Sequence, residues 1–262
     1  MRIIRGATRL SGALRHGAFV LWTLFFISCS SAPASMRANE GEGADLALST
    51  PAKEAAADGD APEAMGAEEA ALRLKIVESA LDLVGSKANS TKLVNGKKFC
   101  LDCSGTVRAA YWGAGVALDG DPARAGGNGV AVLWYNSEKF GEVLKTGGEP
   151  SVGDIIFWDN TWDRNGNKKF GDDPLTHVGV IISIDGDGTI TYLHTDYLKG
   201  VVTEVMTLDT PSVYRDETGR KINSAMYMAS YPGNPANPPL WTAAELFRGL
   251  ADAREIAARW PQ

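Results

Sequence analysis

The chain has 262 residues, 44% of them hydrophobic and 22% charged, which suits one globular domain with appended segments rather than two full domains. Its formal net charge of −6 at pH 7 argues against nucleic-acid binding, because proteins that bind nucleic acids present a basic surface. Only three cysteines and three histidines are available for catalysis or metal binding.

The first 28 residues have the pattern of an export signal. Four arginines precede the apolar run Ala18–Ile27, and no acidic residue occurs before Cys29. The run is shorter than the roughly 20 apolar residues that a membrane-spanning helix needs. Because Phe26-Ile27-Ser28 resembles a bacterial lipobox, we expect cleavage to leave Cys29 as a lipidated N-terminus, on the periplasmic side of the outer membrane. Plain secretion is the alternative.

Residues 29–66 predict a flexible tether. The segment Ser30–Gly66 is rich in Ala, Gly, Ser, Pro and acids, contains no aromatic residue and carries seven acids against two bases. Loss of the signal removes four arginines and no acid, which changes the net charge from −6 to −10. A tether behind a lipid anchor would let a folded domain reach away from the membrane surface.

Periodic patterns then predict helices followed by strands. Apolar stripes predict helices over 67–85, 103–115 and 130–139, with Ser104 as the N-cap of the second. Five strands are expected next, over 154–158, 177–184, 189–194, 201–206 and 225–231. Residues 232–262 are expected to form a Pro-rich segment and a C-terminal helix over 242–259. Helices first and strands later indicate the α+β class.

The stretch Phe99–Val107, FCLDCSGTV, places two cysteines three residues apart at the start of the second predicted helix. A thiol at a helix N-terminus lies near unpaired backbone N–H groups and the positive end of the helix dipole, and both favour the thiolate. The same N–H groups can stabilise an oxyanion that develops beside the nucleophile. Cys103 is therefore a candidate nucleophile, which needs a base.

Two of the three histidines are candidates for that base. His16 lies in the export signal, whereas His177 begins one predicted strand and His194 ends the next. Antiparallel pairing through the turn at 185–188 would bring both imidazoles to one region of the sheet. The register decides whether they share a face, because a slip of one residue moves a side chain to the opposite face.

Three separated motifs together resemble the NlpC-type cysteine peptidases of bacterial cell walls, which have a papain-like fold. The motifs are Asp102-Cys103-Ser104-Gly105, Val152-Gly153-Asp154-Ile155-Ile156-Phe157 and His177-Val178-Gly179-Val180, in the order found in that family. The resemblance places a catalytic domain at residues 67–231. It implies N-terminal helices packed on an antiparallel sheet, to which the C-terminal helix is added.

The resemblance implies that Cys103 is the nucleophile, His177 the general base and His194 the polar residue that orients His177. It also implies hydrolysis of peptidoglycan stem peptides, typically between the γ-carboxyl of D-glutamate and diaminopimelate, through an acyl-enzyme. No cofactor is required for this chemistry. Asp102 and Ser104 are expected to contact the stem peptide, although a simple capping role for Asp102 is the alternative.

The sequence departs from that family in two places. The stretch 86–99 lacks the tyrosine that members often carry before the cysteine, where it contacts substrate or the oxyanion. The separation of His177 and His194 is longer than expected, so Thr195 and Asp196 are alternative candidates for the orienting group.

Other interpretations of the two cysteines exist. A thioredoxin-like role would place the C-x-x-C after a strand in a βαβ unit, whereas a Lys-rich loop is expected here. A zinc site built from Cys100, Cys103, His177 and His194 would need wider histidine spacing than compact zinc modules have. A reversible disulfide between Cys100 and Cys103 would block the nucleophile and so regulate it. A non-catalytic protein that binds wall peptides is less favoured, because binding alone requires no thiol and imidazole together. A cell-wall amidase or acyltransferase of the same fold is a further alternative, since such relatives use similar nucleophiles.

Residues 163–173, DRNGNKKFGDD, resemble a calcium loop in the spacing of their oxygen ligands. The candidate ligands are Asp163, Asn165, Asn167 and Asp173. The sixth position is Lys168 instead of glycine, and the twelfth is Pro174 instead of glutamate. A solvated turn is therefore favoured over structural calcium.

Overall fold

The computed structural model describes residues 66–118, 128–139, 144–145, 148–226 and 241–259. All of them belong to the second of the two units into which backbone contacts divide the chain, Met1–Asp45 and Leu46–Gln262. The expected export signal, Cys29, the tether as far as residue 65 and the Pro-rich segment lie outside the described residues. Within the described ranges, no helix is long and apolar enough to cross a membrane.

The described part of the chain contains four helices and eight strands. The helices are α1 (Ala67–Leu81), α2 (Cys103–Gly113), α3 (Gly129–Lys139) and α4 (Ala253–Arg259). The strands are β1 (Thr91–Val94), β2 (Lys97–Cys100), β3 (Leu144–Lys145), β4 (Ile155–Trp158), β5 (His177–Ile184), β6 (Ile190–Asp196), β7 (Gly200–Met206) and β8 (Phe247–Ala251). Helices packed on antiparallel strands confirm the α+β, papain-like class expected from the sequence.

Six strands form one antiparallel sheet in the order β3-β8-β4-β5-β6-β7, and β1 pairs with β2 in a separate hairpin. The helix predicted over 242–259 is present only at 253–259; residues 243–246 form turns, and residues 247–251 form β8. Pairing with β4 satisfies the backbone hydrogen bonds of this segment, and that tertiary interaction outweighs the helical spacing of its apolar residues. The sheet therefore includes residues close to the C-terminus.

Both faces of the sheet are covered, which explains the uninterrupted apolar sequence of β4. Ile155 and Phe157 pack into a cluster with residues of α2 and α3, whereas Ile156 and Trp158 pack into a second cluster on the opposite face. This alternation follows from the two-residue period of a strand, and all four residues are fully buried. The centre of the sheet is thus a rigid support for the strands beside it.

Two local predictions failed for identifiable reasons. The Lys-rich segment before Cys103, expected to be a loop, forms the β1–β2 hairpin around Asn95 and Gly96, which both adopt positive φ as a tight turn requires. Of the strand expected over 225–231, the structure describes Ala225, which forms an isolated bridge with Thr242, and Met226; residues 227–231 lie outside the described ranges.

A buried ion cluster joins α1 to the sheet and to the C-terminal segment. The guanidinium of Arg73, a residue that is only 4% exposed, bonds to Glu69 at 2.9 Å, to Asp154 at 2.8 Å and to Asp252 at 2.9 Å. We call these four residues the Arg73 cluster. Burial opposes the charge, but the three carboxylates outweigh it and raise the pKa of Arg73.

Candidate active site

The N-terminus of α2 is capped by the residue before Cys103. The backbone of Asp102 is extended, and its Oδ1 accepts hydrogen bonds from the N–H of Gly105 at 2.7 Å and from the hydroxyl of Ser104 at 2.9 Å. The prediction that Ser104 is the N-cap was therefore wrong, because its hydroxyl donates to the carboxylate that caps the helix. Ser104 is buried, whereas Asp102 is exposed.

The position of Cys103 depends on a close backbone approach. A Cβ atom on Gly105 would lie 1.8 Å from the carbonyl oxygen of Cys100, the last residue of β2. Only glycine allows β2 to pass so near to the first turn of α2. The position of Cys103 is therefore fixed by β2, which ends three residues before it, and by α2, which begins with it.

The sulfur of Cys103 meets the first residues of β5. The residue is half-buried against the cluster that contains Val178. Burial, followed by the Asp102 carboxylate, raises the pKa of the Cys103 thiol to about 12, while the N–H groups of Ser104, Cys103 and Val178 act in the opposite direction. Since Val178 directly follows His177, the nucleophile candidate and the base candidate lie at the same end of the sheet.

His177 and His194 contact each other across adjacent strands. The pairing of Val180 with Leu193, continued by one residue, places Gly179 opposite His194, so the two histidines share a face of the sheet. Their Nε2 and Nδ1 atoms are 2.8 Å apart, and their rings are nearly perpendicular at 84°. This contact uses Nε2 of His177 and Nδ1 of His194.

The surroundings of the histidines favour their neutral forms. Burial, with His194 as a second cause, lowers the pKa of His177 well below its ordinary value. Burial also lowers the pKa of His194 to about 4, although the carboxylates of Asp196 and Glu204 oppose this change. Together with the raised pKa of Cys103, these directions describe a resting site with a neutral thiol and neutral imidazoles.

The absence of a side chain at Gly179 and the packing of Trp158 both shape the surroundings of the histidine contact. A Cβ atom on Gly179 would lie 2.6 Å from the carbonyl oxygen of Leu193 and 3.1 Å from the ring of Trp158. The Trp158 ring packs beside His177 and Tyr192, with centroid distances of 5.8 and 5.0 Å. Its indole N–H bonds to the carbonyl of Ala243, so the ring is fixed in place.

The structure separates the three alternatives for the orienting group. Among His194, Thr195 and Asp196, the one bonded to His177 is His194. The hydroxyl of Thr195 lies 2.6 Å from that of Thr106 on α2 and donates to the carbonyl of Asp102 at 3.3 Å. Asp196 accepts the N–H groups of the following turn, from residues 198 and 199.

The link between Thr195 and α2 was not predicted from the sequence. A signal was present, because neighbouring residues in a strand point to opposite faces, and His194 on one face leaves Thr195 for the other. What the sequence could not provide was the position of α2 over that face. Thr195 and Thr106 thus hold the helix that carries Cys103 against the strand that carries His194.

The calcium candidates lie together in one loop. Asp163, Asn165 and Asn167 each accept a backbone N–H from within the loop, and so does Asp173 from Asn165. No group of three or more His, Cys, Asp or Glu residues in the described ranges is arranged to hold a metal ion.

Both cysteines of the C-x-x-C lie in the part of the chain that the structure describes, and both are partly exposed. Cys100, Cys103, His177 and His194 are all described, and they do not form a metal-binding group, which argues against the zinc alternative. The reversible disulfide stays a prediction. Equal sensitivity of wild type and Cys100→Ser to oxidants would contradict it.

The chain resembles one known domain family over the centre of this region. The family model of the CHAP domain matches residues 94–196. CHAP domains are cysteine peptidase or amidase domains found in peptidoglycan hydrolases. The matched segment includes Cys103, His177 and His194 but spans less than half of the chain. No curated protein and no solved structure matches the chain.

The CHAP match fits what the site can do chemically. A thiol beside helix N–H groups, with an imidazole held by a second imidazole, has the parts needed for acyl transfer. The match supports the broader expectation of a hydrolase domain associated with the bacterial cell wall. The narrower expectation, an NlpC-type peptidase, stays a prediction.

Proposed function

We propose that this protein is a peptidoglycan hydrolase in which Cys103 is the nucleophile and His177 the general base. The observation that carries the proposal is the meeting of two elements. The first turn of α2 brings the Cys103 sulfur to the N–H of Val178, while His194 holds the adjacent His177 through Nε2. The CHAP match supports peptidoglycan as the substrate.

In the proposed reaction, His177 Nδ1 takes the proton of the Cys103 thiol as the sulfur attacks the carbonyl carbon of the scissile amide. The N–H groups at the start of α2 stabilise the oxyanion of the tetrahedral intermediate. His177 then gives the proton to the leaving amine, and an acyl-enzyme forms at Cys103. Water activated by His177 hydrolyses the acyl-enzyme and restores the thiol. No cofactor takes part in these steps.

The bond we propose lies in the stem peptide, between the γ-carboxyl of D-glutamate and diaminopimelate, as in NlpC-type peptidases. An amidase that cuts between the glycan and the peptide is the second candidate, and the CHAP match favours it equally. Asp102, which is exposed beside the nucleophile, is proposed to contact the stem peptide. The buried Ser104 would act through its bond to Asp102.

We also propose that the enzyme is exported and lipid-anchored to the outer membrane through Cys29. The support is the arginine-rich, apolar signal and the lipobox-like tripeptide before Cys29. Mass spectrometry of the N-terminal peptide from membrane fractions tests this proposal, with Cys29→Ala as control. An unmodified sulfur on Cys29, or an uncleaved signal, would refute the anchor.

The activity is tested with reduced full-length protein and peptidoglycan that contains diaminopimelate. Mass spectrometry of released fragments identifies the bond, since peptidase and amidase products differ in composition. We expect Cys103→Ala to lose at least about a thousandfold in rate with unchanged thermal stability. Cys100→Ala, on the same motif, is the matched control and should retain activity. Equal rates for wild type and Cys103→Ala, or no cleavage by folded, reduced wild type, would refute the proposed function.

A further inference from the structure

The backbone of Leu175 has an unusual conformation two residues before His177. Its φ is +53°, in the left-handed region that residues other than glycine rarely occupy. The other non-glycine residues with positive φ in the described ranges are three asparagines, which tolerate this region, and the exposed Lys168. Leu175 differs from them as a buried apolar residue, only 4% exposed. Such a strained conformation persists only where the surrounding contacts impose it.

Side chains hold both backbone polar groups of Leu175. Its N–H donates to Oδ1 of Asp159 at 2.7 Å, and its carbonyl accepts from Nδ2 of Asn128 at 3.0 Å. We call Asn128, Asp159 and Leu175 the Leu175 clamp. Because each bond fixes one side of the same residue, the two together determine the orientation of its backbone.

The two side chains of the Leu175 clamp are anchored in different parts of the fold. Asp159 directly follows β4, and its Oδ2 accepts from Arg248 of β8 at 2.7 Å. Asn128 is the N-cap of α3, since its Oδ1 accepts the N–H groups of the second and third residues of that helix at 3.0 and 3.3 Å. The conformation of Leu175 therefore depends on the positions of both β4 and α3.

The left-handed conformation separates the Leu175 and His177 side chains. Residues two positions apart in a continuous strand project from the same face. Leu175 instead belongs to the buried cluster against which Cys103 packs, whereas His177 contacts Trp158 and His194. The N–H of the residue between them bonds to the Trp158 carbonyl at 3.0 Å, so β5 begins at once after the turn. The direction in which His177 enters the site is thus set at Leu175.

Asn128 also lies beside the element that carries the nucleophile. A Cβ atom on Gly129, the next residue, would lie 2.2 Å from the hydroxyl oxygen of Ser104. The start of α3 therefore approaches the first turn of α2 directly after Cys103. Through its bond to the Leu175 carbonyl, Asn128 connects this turn with the segment that leads to His177.

We propose that Asn128 and Asp159 are positioning residues that act through Leu175: they impose its left-handed conformation and thereby set the orientation of His177 toward Cys103. The inference rests on the proposed function, in which His177 takes the proton of the Cys103 thiol. Neither positioning residue touches a reacting atom. Loss of either bond lets the backbone at Leu175 relax, and the imidazole then moves away from its productive orientation.

The test uses the full-length chain with Cys29→Ser and Cys100→Ser, which leaves Cys103 as the one thiol. The rate of Cys103 alkylation by iodoacetamide at pH 7 reads thiolate formation, which His177 assists as the base. His177→Ala gives the rate of a site without that base. Thermal melting reads stability. The alkylation rate separates positioning from structural support, because a merely destabilised protein exposes its thiol and reacts faster.

One variant removes each bond of the Leu175 clamp. Asn128→Ser lacks the donor to Leu175 but retains a hydroxyl that caps α3. Asp159→Ala lacks the acceptor for the Leu175 N–H, whereas Asp159→Asn keeps an acceptor oxygen. Both substitutions of Asp159 lose the ion pair with Arg248, so their difference reports the bond to Leu175.

Asn223→Ser is the matched control for Asn128→Ser. Asn223 is buried and has the same pattern of bonds, because its Oδ1 accepts the N–H of Thr207 at 2.9 Å and its Nδ2 donates to the carbonyl of Val213 at 2.8 Å. It lies beyond Met206, at the end of β7 that is distant from His194. Its loss should lower the melting temperature and leave the alkylation rate unchanged.

We expect Asn128→Ser and Asp159→Ala to slow alkylation by about tenfold, toward the rate of His177→Ala, because a small displacement of a base removes much of its effect. Asp159→Asn should recover most of the rate. A parental or faster rate in either clamp variant, or equal slowing in the control, would overturn the proposal. Equal rates in the parent and His177→Ala would overturn it as well, by removing the base. Failure to digest peptidoglycan alongside the expected alkylation rates would refute the proposed function alone.

Discussion

The Arg73 cluster and the histidine pair, His177 with His194, are both buried and polar, but they differ in how completely their atoms are bonded. Every guanidinium nitrogen of Arg73 has a carboxylate partner, and Asp154 also accepts the N–H of Ala253. His194 has a partner at Nδ1 and none among the described residues at Nε2. The Arg73 cluster, whose guanidinium nitrogens are all hydrogen-bonded, joins α1 to the sheet and to the C-terminal segment. The histidine pair keeps one ring nitrogen of His194 without a partner among the described residues, and such a nitrogen can still bind or release a proton.

The largest expected effect on stability comes from breaking the Arg73 cluster. Arg73→Met leaves buried carboxylates without their cation, and the free energy of unfolding should fall by about 3–5 kcal/mol. Chemical denaturation measures this loss. Arg254→Met is the matched control, since Arg254 also approaches Glu69 but is largely exposed, and it should change stability by less than about 1 kcal/mol. Equal effects of the two substitutions would show that saturation of the Arg73 cluster does not matter.

The histidine pair should instead make the free energy of unfolding depend on pH. The pKa of His194 is about 4 in the folded protein and 6.5 in the unfolded chain, so the unfolded chain binds more protons in this window. Stability due to His194 is complete above pH 6.5 and is lost as pH falls through 4, by about 3 kcal/mol in total. Denaturation at a series of pH values measures it. His194→Asn should flatten this dependence, and an unaltered slope would contradict the assignment.

A smaller effect is expected from crowding the histidine contact. Gly179→Ala forces β5 and β6 apart at the Leu193 carbonyl and should cost about 1–3 kcal/mol of stability. Activity should fall as well, because the distance between His177 and His194 changes. Gly186→Ala in the β5–β6 turn is the control, since a Cβ there meets nothing within 4 Å. Full activity in Gly179→Ala would show that the contact tolerates displacement.

The smallest effect is expected from calcium. The oxygens of Asp163, Asn165 and Asn167 already accept backbone N–H groups of their own loop. Chelation of calcium should therefore shift the melting temperature by less than about 1 °C, as expected for a free-energy change of a few tenths of a kcal/mol. Differential scanning calorimetry with and without chelator measures the shift. A rise of several degrees on adding calcium would make the loop a structural metal site.

Much of the fold could be predicted because the local signals agreed with the tertiary structure. The apolar run of β5 and the helical spacing after Cys103 were sufficient to place those elements. The sequence failed for β8, where pairing with β4 overrides a helical pattern, and for the β1–β2 hairpin, where lysines obscured the strand signal.

The sequence nominated residues for the candidate site but could not provide their geometry. Few histidines and a cysteine at a helix start indicated which side chains to consider. The contact between His177 and His194 depends on strand register, and the bond from Thr195 to Asp102 depends on how α2 lies on the sheet. Such long-range contacts are set by packing and leave no local pattern in the sequence.

The position of β8 has a consequence for the order in which the sheet is assembled. Its five residues, Phe247–Ala251, lie between β3 and β4, next to the strand that pairs with β5. Cys103, both histidines and the other described strands of the sheet all precede β8 in the sequence. Until β8 pairs with β4, that central strand exposes an unpaired edge. Completion of the sheet thus depends on a contact between segments almost one hundred residues apart, about as far in sequence as any pairing in this sheet.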